Sequence, residues 1–521
     1  MLRRQFLATS AAAAAPFALR GMPVAAASSP LFDLAAAADN DRVLVLVQLS
    51  GGNDGLASLV PLDQYDQLAQ VRANVIVPEA QLVDLEPTRA LHPSLADLKA
   101  LWDDGQLGIV QDVGYPDQNR SHFRSTDIWH SGSPSDEVWT SGWVGRHLDA
   151  RYPGFPDGYP NTEHPDPVAV VVGNSVSATC QGIAGNFGLT VANPDYVTQI
   201  IGGSSTDTPA TPYGRELAFL RTSIEQANAY GAVVTDAVEG VTNAVAYPED
   251  STFATRLSYI ARMIAGGLRT RVYVVTLGGF DTHAEQVVEG EPTSGEHAEL
   301  LRQLAEGLKA FQADLTVLGV SERVVGMTYS EFGRRIRSNA AYGTDHGTAA
   351  PAFLFGDCVQ AGTLGDNPVI DTAVDELEGV PMQYDFRDLY GTVLEDWFGV
   401  AESDVRALLH AGYTRLPILR PCDGSVSDLG AAPAAQTDLA VAPSPFGDHA
   451  RLSFETAASG RVRLEAYDVK GGLVETLFER RLPAGEQTVT VDASRYPAGV
   501  IVFRLTEPGG RVRVVRAVRN E

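Results

Sequence analysis

The chain has 521 residues, with 65 acidic side chains against 39 lysines and arginines, and its formal net charge is -26. This length exceeds one ordinary hydrophobic core, so we expect one large domain and a smaller one. The negative charge repels phosphate backbones, which excludes nucleic acid as an expected partner. The three cysteines, Cys180, Cys358 and Cys422, permit one disulfide but match neither a disulfide framework nor a zinc cluster.

The first 27 residues have the organisation of a cleavable export signal. Arg3 and Arg4 precede an alanine-rich apolar stretch, and the small residues Ala25–Ala27 resemble a cleavage site. The arginine pair indicates the twin-arginine route. The apolar stretch lacks an amphipathic face, which argues against the alternative of a helix that caps the fold. No other stretch approaches the length of a membrane span, so we expect no transmembrane segment in the mature protein.

Residues 40–420 predict an α/β domain. Three runs are almost wholly apolar and only as long as a strand, as is typical of parallel strands buried on both faces: Val43–Leu49, Val272–Leu277 and Val324–Tyr329. Apolar residues recur at helical spacing in 257–268 and 298–315. This alternation predicts a doubly wound, mostly parallel sheet. We interpret segment 153–246, rich in Gly, Asn, Thr and Pro, as one sheet strand with a cap over the crevice.

A polar motif follows each of these three apolar runs. Asp54 comes after the first run, Asp281 and His283 after the second, and Glu331 after the third. Ligands of a doubly wound sheet bind in the crevice beyond the carboxyl ends of its strands, so we expect these side chains to converge. The alternative is that such residues, placed next to glycines, serve only as turn formers.

Asp345 and His346 form a further pair within the glycine-flanked motif 343–347. A carboxylate with an imidazole suits zinc or manganese, and Asp281 with His283 offers the same combination. A shell made only of oxygen atoms would favour calcium or magnesium instead. We therefore expect a divalent metal, with zinc or manganese as first choices and calcium or magnesium as alternatives.

The sequence around Ser121 brings hydroxyl, guanidinium and imidazole groups together. A serine near a metal can attack as its alkoxide, and arginine donates paired hydrogen bonds to phosphoryl or sulfuryl oxygens. Ser121 with Arg120 or Arg124 fits that chemistry, and His122 lies beside them. The same pattern also indicates a helix start capped by Ser121 or Ser125. The two interpretations are compatible, because helix N-termini favour anions.

Residues 421–437 are rich in Gly, Ala, Pro and Ser without periodicity, which predicts a linker. Beyond it, residues 438–521 alternate apolar and polar side chains between turns, which predicts a small antiparallel β-sandwich. Its motifs Ala466–Gly472, Asp492–Val500 and Arg511–Arg516 resemble the C-terminal sorting domain of the type IX secretion system. This resemblance implies the secretion machinery as a partner and an extracellular or outer-membrane location. A carbohydrate-binding or spacer sandwich is the alternative.

The motifs of the large domain together resemble one bacterial family, domain-of-unknown-function family fifteen-oh-one: Gly51–Gly55, Leu91–Leu95, Gly114–Phe123, Gly278–His283, Ser330–Arg335 and Gly343–Gly347. That family is related to the alkaline-phosphatase and sulfatase superfamily. The resemblance implies an alkaline-phosphatase-like fold with Ser121 as nucleophile. It also implies one or two metals surrounded by Asp54, Asp281, His283, Asp345 and His346.

Two functions are open on this basis. The first is a secreted metal-dependent hydrolase of phosphate or sulfate esters, acting on a small-molecule or polysaccharide ester. Its candidate catalytic residues are Arg120, Ser121, His122, Arg124 and Glu331, and its candidate metal ligands are Asp54, Asp281, His283, Asp345 and His346. The second is a non-catalytic surface or binding protein that keeps the fold, because a fold does not establish a function.

Overall fold

A computed structural model of the protein describes residues 41–197 and 211–422, and in the C-terminal module residues 440–442, 446, 449–456, 460–467, 473–483, 485–492, 496, 499–506 and 512–519. The chain divides into two compact units between Ser425 and Val426, within the predicted linker 421–437. The predicted signal of residues 1–27 and most of that linker lie outside the described residues.

The large unit contains the strands that carry the polar motifs. In chain order they are β1 (Val43–Ser50), β2 (Leu59–Pro61), β3 (Val83–Glu86), β4 (Arg89–Leu91), β5 (Leu107–Gly114), β6 (Ala169–Val172), β7 (Gly188–Val191), β8 (Val272–Gly278), β9 (Val324–Tyr329), β10 (Arg334–Ser338), β11 (Thr344–His346), β12 (Ala350–Phe355), β13 (Gly362–Leu364) and β14 (Tyr384–Asp385). Strands β2, β4 and β3 form one small sheet, and β10 pairs with β11 in another.

The central sheet has the order β13-β5-β12-β9-β1-β8-β6-β7, with β14 beside β5. Strand β12 is antiparallel to its neighbours β5 and β9, and the other neighbouring pairs of this sheet are parallel. The predicted mostly parallel α/β sheet is confirmed. Because β9, β1 and β8 are adjacent and parallel, the turns that follow them emerge side by side at one edge of the sheet.

Helices complete the large unit. They are Gly55–Ser58, Tyr65–Val71, Ala96–Asp103, His122–Ser131, Trp143–Arg151, Pro212–Val238, Thr252–Ala265, Glu296–Val317, Phe386–Thr392 and Glu402–Leu408. Short 3-10 turns span Leu62–Gln64, Glu79–Gln81, Pro93–Leu95, Ala178–Cys180 and Ser321–Arg323, and a π-helical turn spans Val393–Trp397. The two predicted helical segments lie within or close to Thr252–Ala265 and Glu296–Val317. Among the described residues, we find no helix with the length and apolarity that a membrane crossing needs.

Both faces of the sheet are buried, which explains why its strands are almost wholly apolar. Leu44 and Leu46 of β1 contribute to one hydrophobic core, whereas the alternate residues Val45 and Val47 contribute to the other. The first core includes side chains from helices His122–Ser131, Trp143–Arg151, Phe386–Thr392 and Glu402–Leu408. The second includes side chains from Ala96–Asp103, Pro212–Val238, Thr252–Ala265 and Glu296–Val317. Each fully buried Val or Leu stabilises this arrangement by about 1.5–3 kcal/mol relative to exposure.

Segment 153–246 contributes more to the sheet than the sequence predicted. It supplies two strands, β6 and β7, which extend the sheet beyond β8, and the helix Pro212–Val238. Residues 198–210 lie outside the described part. A cap over the crevice stays a prediction.

The C-terminal module consists of antiparallel strands, as predicted. They are β15 (Ala440–Ala442), β16 (His449–Thr456), β17 (Gly460–Tyr467), β18 (Leu473–Leu482), β19 (Gly485–Asp492), β20 (Gly499–Thr506) and β21 (Val512–Arg519). They form a three-stranded sheet, β15-β16-β19, and a four-stranded sheet, β18-β17-β20-β21. Leu452 of the first sheet and Phe503 of the second belong to one apolar core. The alternating runs that predicted strands, 450–455, 461–467, 487–491, 500–505 and 512–516, include neither β15 nor β18, and the pairing of β18 with β17 contains register shifts that interrupt the simple alternation.

Asp112, a buried carboxyl in β5, makes stability depend on pH. Burial raises its pKa to about 7, although Gln383 donates a hydrogen bond of 2.6 Å to its Oδ2. Because the folded pKa lies above the unfolded one, stability is lost as pH rises through the interval between them. Between pH 5 and pH 8, ionisation of this carboxyl lowers the free energy of unfolding by at most about 3 kcal/mol.

We therefore expect Asp112→Asn to stabilise the protein at pH 8 by more than it does at pH 5. Urea unfolding of both proteins at the two pH values measures this difference. Asn tolerates the left-handed backbone of position 112, where φ is 47°, and its side-chain oxygen still accepts from Gln383. Asp104→Asn, at an exposed turn, is the matched control and should leave the pH dependence unchanged. An equal effect of Asp112→Asn at both pH values contradicts the raised pKa.

Candidate metal centre

The turns that follow β8 and β9 bring acidic and imidazole groups to the carboxyl edge of the sheet. Asp281 and His283 lie three and five residues after the end of β8, and Glu331 lies two residues after the end of β9. Gly51, after β1, contacts both turns. Its amide donates to Oε1 of Glu331 at 2.8 Å, and a Cβ at this position would lie 2.3 Å from the amide nitrogen of Asp281. Glycine with φ of 124° therefore permits this close approach.

Two further histidines reach the same place from different elements. His122 is the first residue of the helix His122–Ser131, which follows the loop after β5. His346 ends β11 and pairs with Arg334 of β10, so the predicted glycine-flanked loop contains a short strand. Four segments that are distant in sequence thus meet at this edge.

The three histidines surround a single carboxylate. The Nε2 atoms of His122, His283 and His346 lie 3.3, 3.2 and 3.1 Å from the oxygens of Asp281. Nε2 of His283 is also 2.8 Å from Nε2 of His346. Ligand atoms of His122, Asp281 and His346 all lie within 4.8 Å of one another, a spacing that permits a shared metal ion.

Each of the three imidazoles is oriented by an acceptor at its other nitrogen. The Nδ1 partners are Glu331 for His122 (2.9 Å), Asp345 for His283 (2.8 Å) and the carbonyl oxygen of Arg120 for His346 (2.8 Å). An acceptor at Nδ1 assigns the hydrogen to that nitrogen and leaves a lone pair at Nε2. Metal-binding histidines commonly have such partners.

This orientation makes the centre fit a cation. Lone pairs at the Nε2 atoms face one another and an ionised carboxylate, and a bound cation would relieve the repulsion between these acceptors. Nε2 of His122 is buried and makes no hydrogen bond, so its lone pair can be given to a cation. His122, which the sequence placed among the catalytic residues, thus joins Asp281, His283 and His346 as a candidate ligand.

Arg334 keeps the carboxylate at the middle of the centre ionised. Partial burial opposes ionisation of Asp281, but the hydrogen bond and the positive charge of Arg334 outweigh it and lower its pKa to about 2. The guanidinium of Arg334 is fully buried and donates to Oδ1 of Asp281 at 2.8 Å. Arg334 belongs to the motif Ser330–Arg335, but no local pattern predicts its role, because its partners lie on other segments.

Glu331 and Asp345 contact histidines instead of facing the middle of the centre. Oε1 of Glu331 accepts from His122 and from the Gly51 amide, and the residue is 2% exposed. Asp345 accepts from His283 and from Arg335, and although burial opposes ionisation, the hydrogen bonds lower its pKa. In this arrangement both carboxylates orient ligands.

Asp54 has different partners from those predicted. It is 1% exposed, and both of its carboxylate oxygens accept from Arg72, at 2.9 and 3.0 Å. Gln286 donates to Oδ2 at 2.7 Å. Burial opposes its ionisation, but the charge of Arg72 and these bonds lower its pKa. These contacts place Asp54 in a buried ion pair, so we do not include it in the candidate centre.

The residues around Ser121 that the sequence predicted to be catalytic have different surroundings in the structure. Ser121 is exposed and immediately precedes the helix, without a side-chain capping bond. The Arg120 side chain bonds the Leu377 carbonyl. Arg124 pairs with Asp127 at 2.7 Å and donates to carbonyls of Pro134, Ser135 and Glu137, so its guanidinium holds a neighbouring loop. The buried Ser125 bonds Tyr115 and the carbonyl of Glu331.

We expect the purified protein to bind one divalent ion at this centre. Added zinc should raise the thermal unfolding temperature, because an ion that binds only the folded state stabilises it. His283→Ala and His346→Ala should each weaken zinc binding by more than ~100-fold, since losing even an outer partner costs about 10–100-fold. His410→Ala is the matched control, because His410 pairs with Asp388 at 3.0 Å outside the centre. Zinc binding that survives both substitutions rules out this site.

Solved structures with similarity to this chain have low TM-scores. The sulfatase PsFucS1 from Pseudoalteromonas sp. has a TM-score of 0.33 and 10% identity, over 89% of this chain and 88% of that chain. A protein of the alkaline phosphatase superfamily from Vibrio parahaemolyticus has a TM-score of 0.30 and 9% identity, over 85% and 82% of the two chains. PorZ, a surface component of the type-IX secretion system of Porphyromonas gingivalis, has a TM-score of 0.13 and 16% identity, over 16% of this chain and 11% of PorZ. Similarities this low support no functional inference.

A comparison with curated protein sequences found no significant match. Residues 109–408 match the family described as "Protein of unknown function (DUF1501)". The matched range is more than half of the chain, and it includes His122, Asp281, His283 and His346. The chain therefore belongs to the DUF1501 family, and its candidate metal centre lies wholly within the matched range.

Proposed function

We propose that this protein is a metal-dependent hydrolase of phosphate or sulfate esters that uses zinc or manganese. The observation that carries this proposal is the set of three oriented imidazoles around Asp281, because such nitrogen and oxygen donors suit these metals. The bound metal would act as a Lewis acid toward an ester oxygen. The side chains of Asp281 and His283 are 46% and 44% exposed, which leaves the centre open to a substrate.

Ser121 is the proposed nucleophile. Both of its neighbours in the chain contact the centre, since the Arg120 carbonyl accepts from His346 and His122 is a candidate ligand. These contacts hold the main chain of Ser121 beside the centre. Its side chain is exposed and has no capping bond, so its hydroxyl is available for attack.

Arg120 and Arg335 support the choice of an anionic ester. Burial and the positive charge of Arg335 lower the pKa of Arg120, and the negative charge of Glu378 opposes this shift. Nη1 of Arg335 is 3.0 Å from Asp345, the partner of His283, and the buried Nε of Arg335 has no hydrogen-bond partner. An anionic substrate at the centre would meet both groups and compensate their mutual repulsion.

Turnover of an aryl phosphate and an aryl sulfate by the zinc- or manganese-loaded protein tests this proposal. Ser121→Ala and Asp281→Asn should each lower kcat by at least about 100-fold, as expected on losing a nucleophile or a ligand. Ser403→Ala, at an exposed serine on the distant helix Glu402–Leu408, should keep full activity. A metal-loaded protein that turns over neither ester rejects the hydrolase and favours a binding protein. Full activity in Ser121→Ala rejects the nucleophile alone.

We further propose that the protein acts outside the cell, after export through the predicted signal and sorting module. The disulfide between Cys358 and Cys422 supports an oxidising compartment. The third cysteine, Cys180, is free and buried, and burial raises its pKa to about 12. Mass spectrometry of the extracellular fraction should find chains without residues 1–27 and with Cys358 linked to Cys422. Chains that stay inside the cell with free thiols contradict this proposal.

A further inference from the structure

Gln286 is a buried side chain that connects two ligand-bearing segments. It is fully buried, and its Oε1 accepts from the hydroxyls of Thr282 at 3.2 Å and Thr344 at 2.5 Å. Thr282 lies between Asp281 and His283, and Thr344 is the first residue of β11, which ends in His346. One amide oxygen therefore links the turn after β8 to strand β11.

The orientation of this amide is determined by its other end. Nε2 of Gln286 donates to Asp54 at 2.7 Å, and an ionised carboxylate can only accept. Asp54 is held in turn by Arg72, which also donates to the carbonyls of Ile336 and Arg335 on β10. The amide oxygen must then face the two threonines. Arg72, Asp54 and Gln286 thus form one buried chain of bonds that ends beside the metal centre.

We propose that Gln286 is a positioning residue for the metal centre, which sets the spacing of its two ligand-bearing segments through Thr282 and Thr344. This inference rests on the proposed metal centre. Nε2 of His283 and Nε2 of His346 lie 2.8 Å apart, and both can reach one cation only if the spacing of their segments is kept. A bond between the segments that is present before metal binding lowers the cost of assembling the site and strengthens binding.

Other hydrogen bonds also join these two segments, so their folding should not require Gln286. The Thr344 amide donates to the Thr282 carbonyl at 3.2 Å, and Asn339 donates to the carbonyl of His283 at 2.8 Å. These bonds do not involve the Gln286 side chain. The segments should therefore stay folded without it, while the spacing of the ligand atoms changes.

The test is Gln286→Met, which keeps the approximate shape but removes all three hydrogen bonds of the amide. Competition with a chelator should show zinc binding weakened by about 10–100-fold, as for lost outer partners of metal ligands. The absorption spectrum of the cobalt-substituted protein should also change, because the geometry around the metal changes. Gln312→Met is the matched control, since Gln312 is 1% exposed and donates to Asp357 at 3.2 Å away from the centre. It should bind zinc as tightly as the wild type.

The outcomes distinguish this inference from the metal centre itself. Wild-type zinc affinity and an unchanged cobalt spectrum in Gln286→Met overturn the positioning role, even if the metal-free variant is less stable. A wild-type protein that binds no zinc overturns the metal centre and this role with it. If Gln286→Met does not fold, Thr344→Val removes one donor at nearly constant volume. Zinc affinity equal to wild type in Thr344→Val then overturns the proposal.

Discussion

The candidate centre depends on the hydrogen bonds that the guanidinium of Arg334 donates. It is fully buried and donates to the carbonyls of Gly52, Phe280 and Thr344 as well as to the Asp281 carboxylate. These groups belong to the turns after β1 and β8 and to β11. A buried charge is costly unless its donors are satisfied, and here carbonyl and carboxylate oxygens satisfy it. The same charge keeps Asp281 ionised between three imidazoles.

The parallel sheet explains why such an arrangement can form at this edge. The parallel pairing of β1 with β8 and β9 aligns three chain reversals, so their polar groups emerge together. The helix His122–Ser131 and the β10–β11 hairpin then add one histidine each from outside those reversals. An acidic chain thus places buried arginines beside its candidate centre. Their charges favour the ionised form of the carboxylates they contact.

Sequence patterns predicted strands and helices correctly where burial alone determines the secondary structure. The three apolar runs are strands of one sheet, and the segment at 298–315 lies inside the helix Glu296–Val317. Strand β18 was missed, because its pairing with β17 depends on register shifts that no periodicity reveals. Segment 153–246 was expected to supply one strand, but β6 and β7 both join the sheet. Strand β7 was missed, since an edge strand of four residues carries little pattern.

The sequence by itself determined the parallel α/β class, the C-terminal antiparallel module and the neighbourhood of Asp281, His283 and Glu331, because hydrophobic runs and sheet edges are local or topological properties. Only the tertiary structure decided which polar atoms contact each other. Asp54 follows a strand just as Asp281 does, yet Arg72, the residue after the helix Tyr65–Val71, pairs with it. His122 joins the candidate ligands because Glu331, 209 residues away in sequence, holds its Nδ1. A side chain's role depends on such distant partners, and these are set by packing.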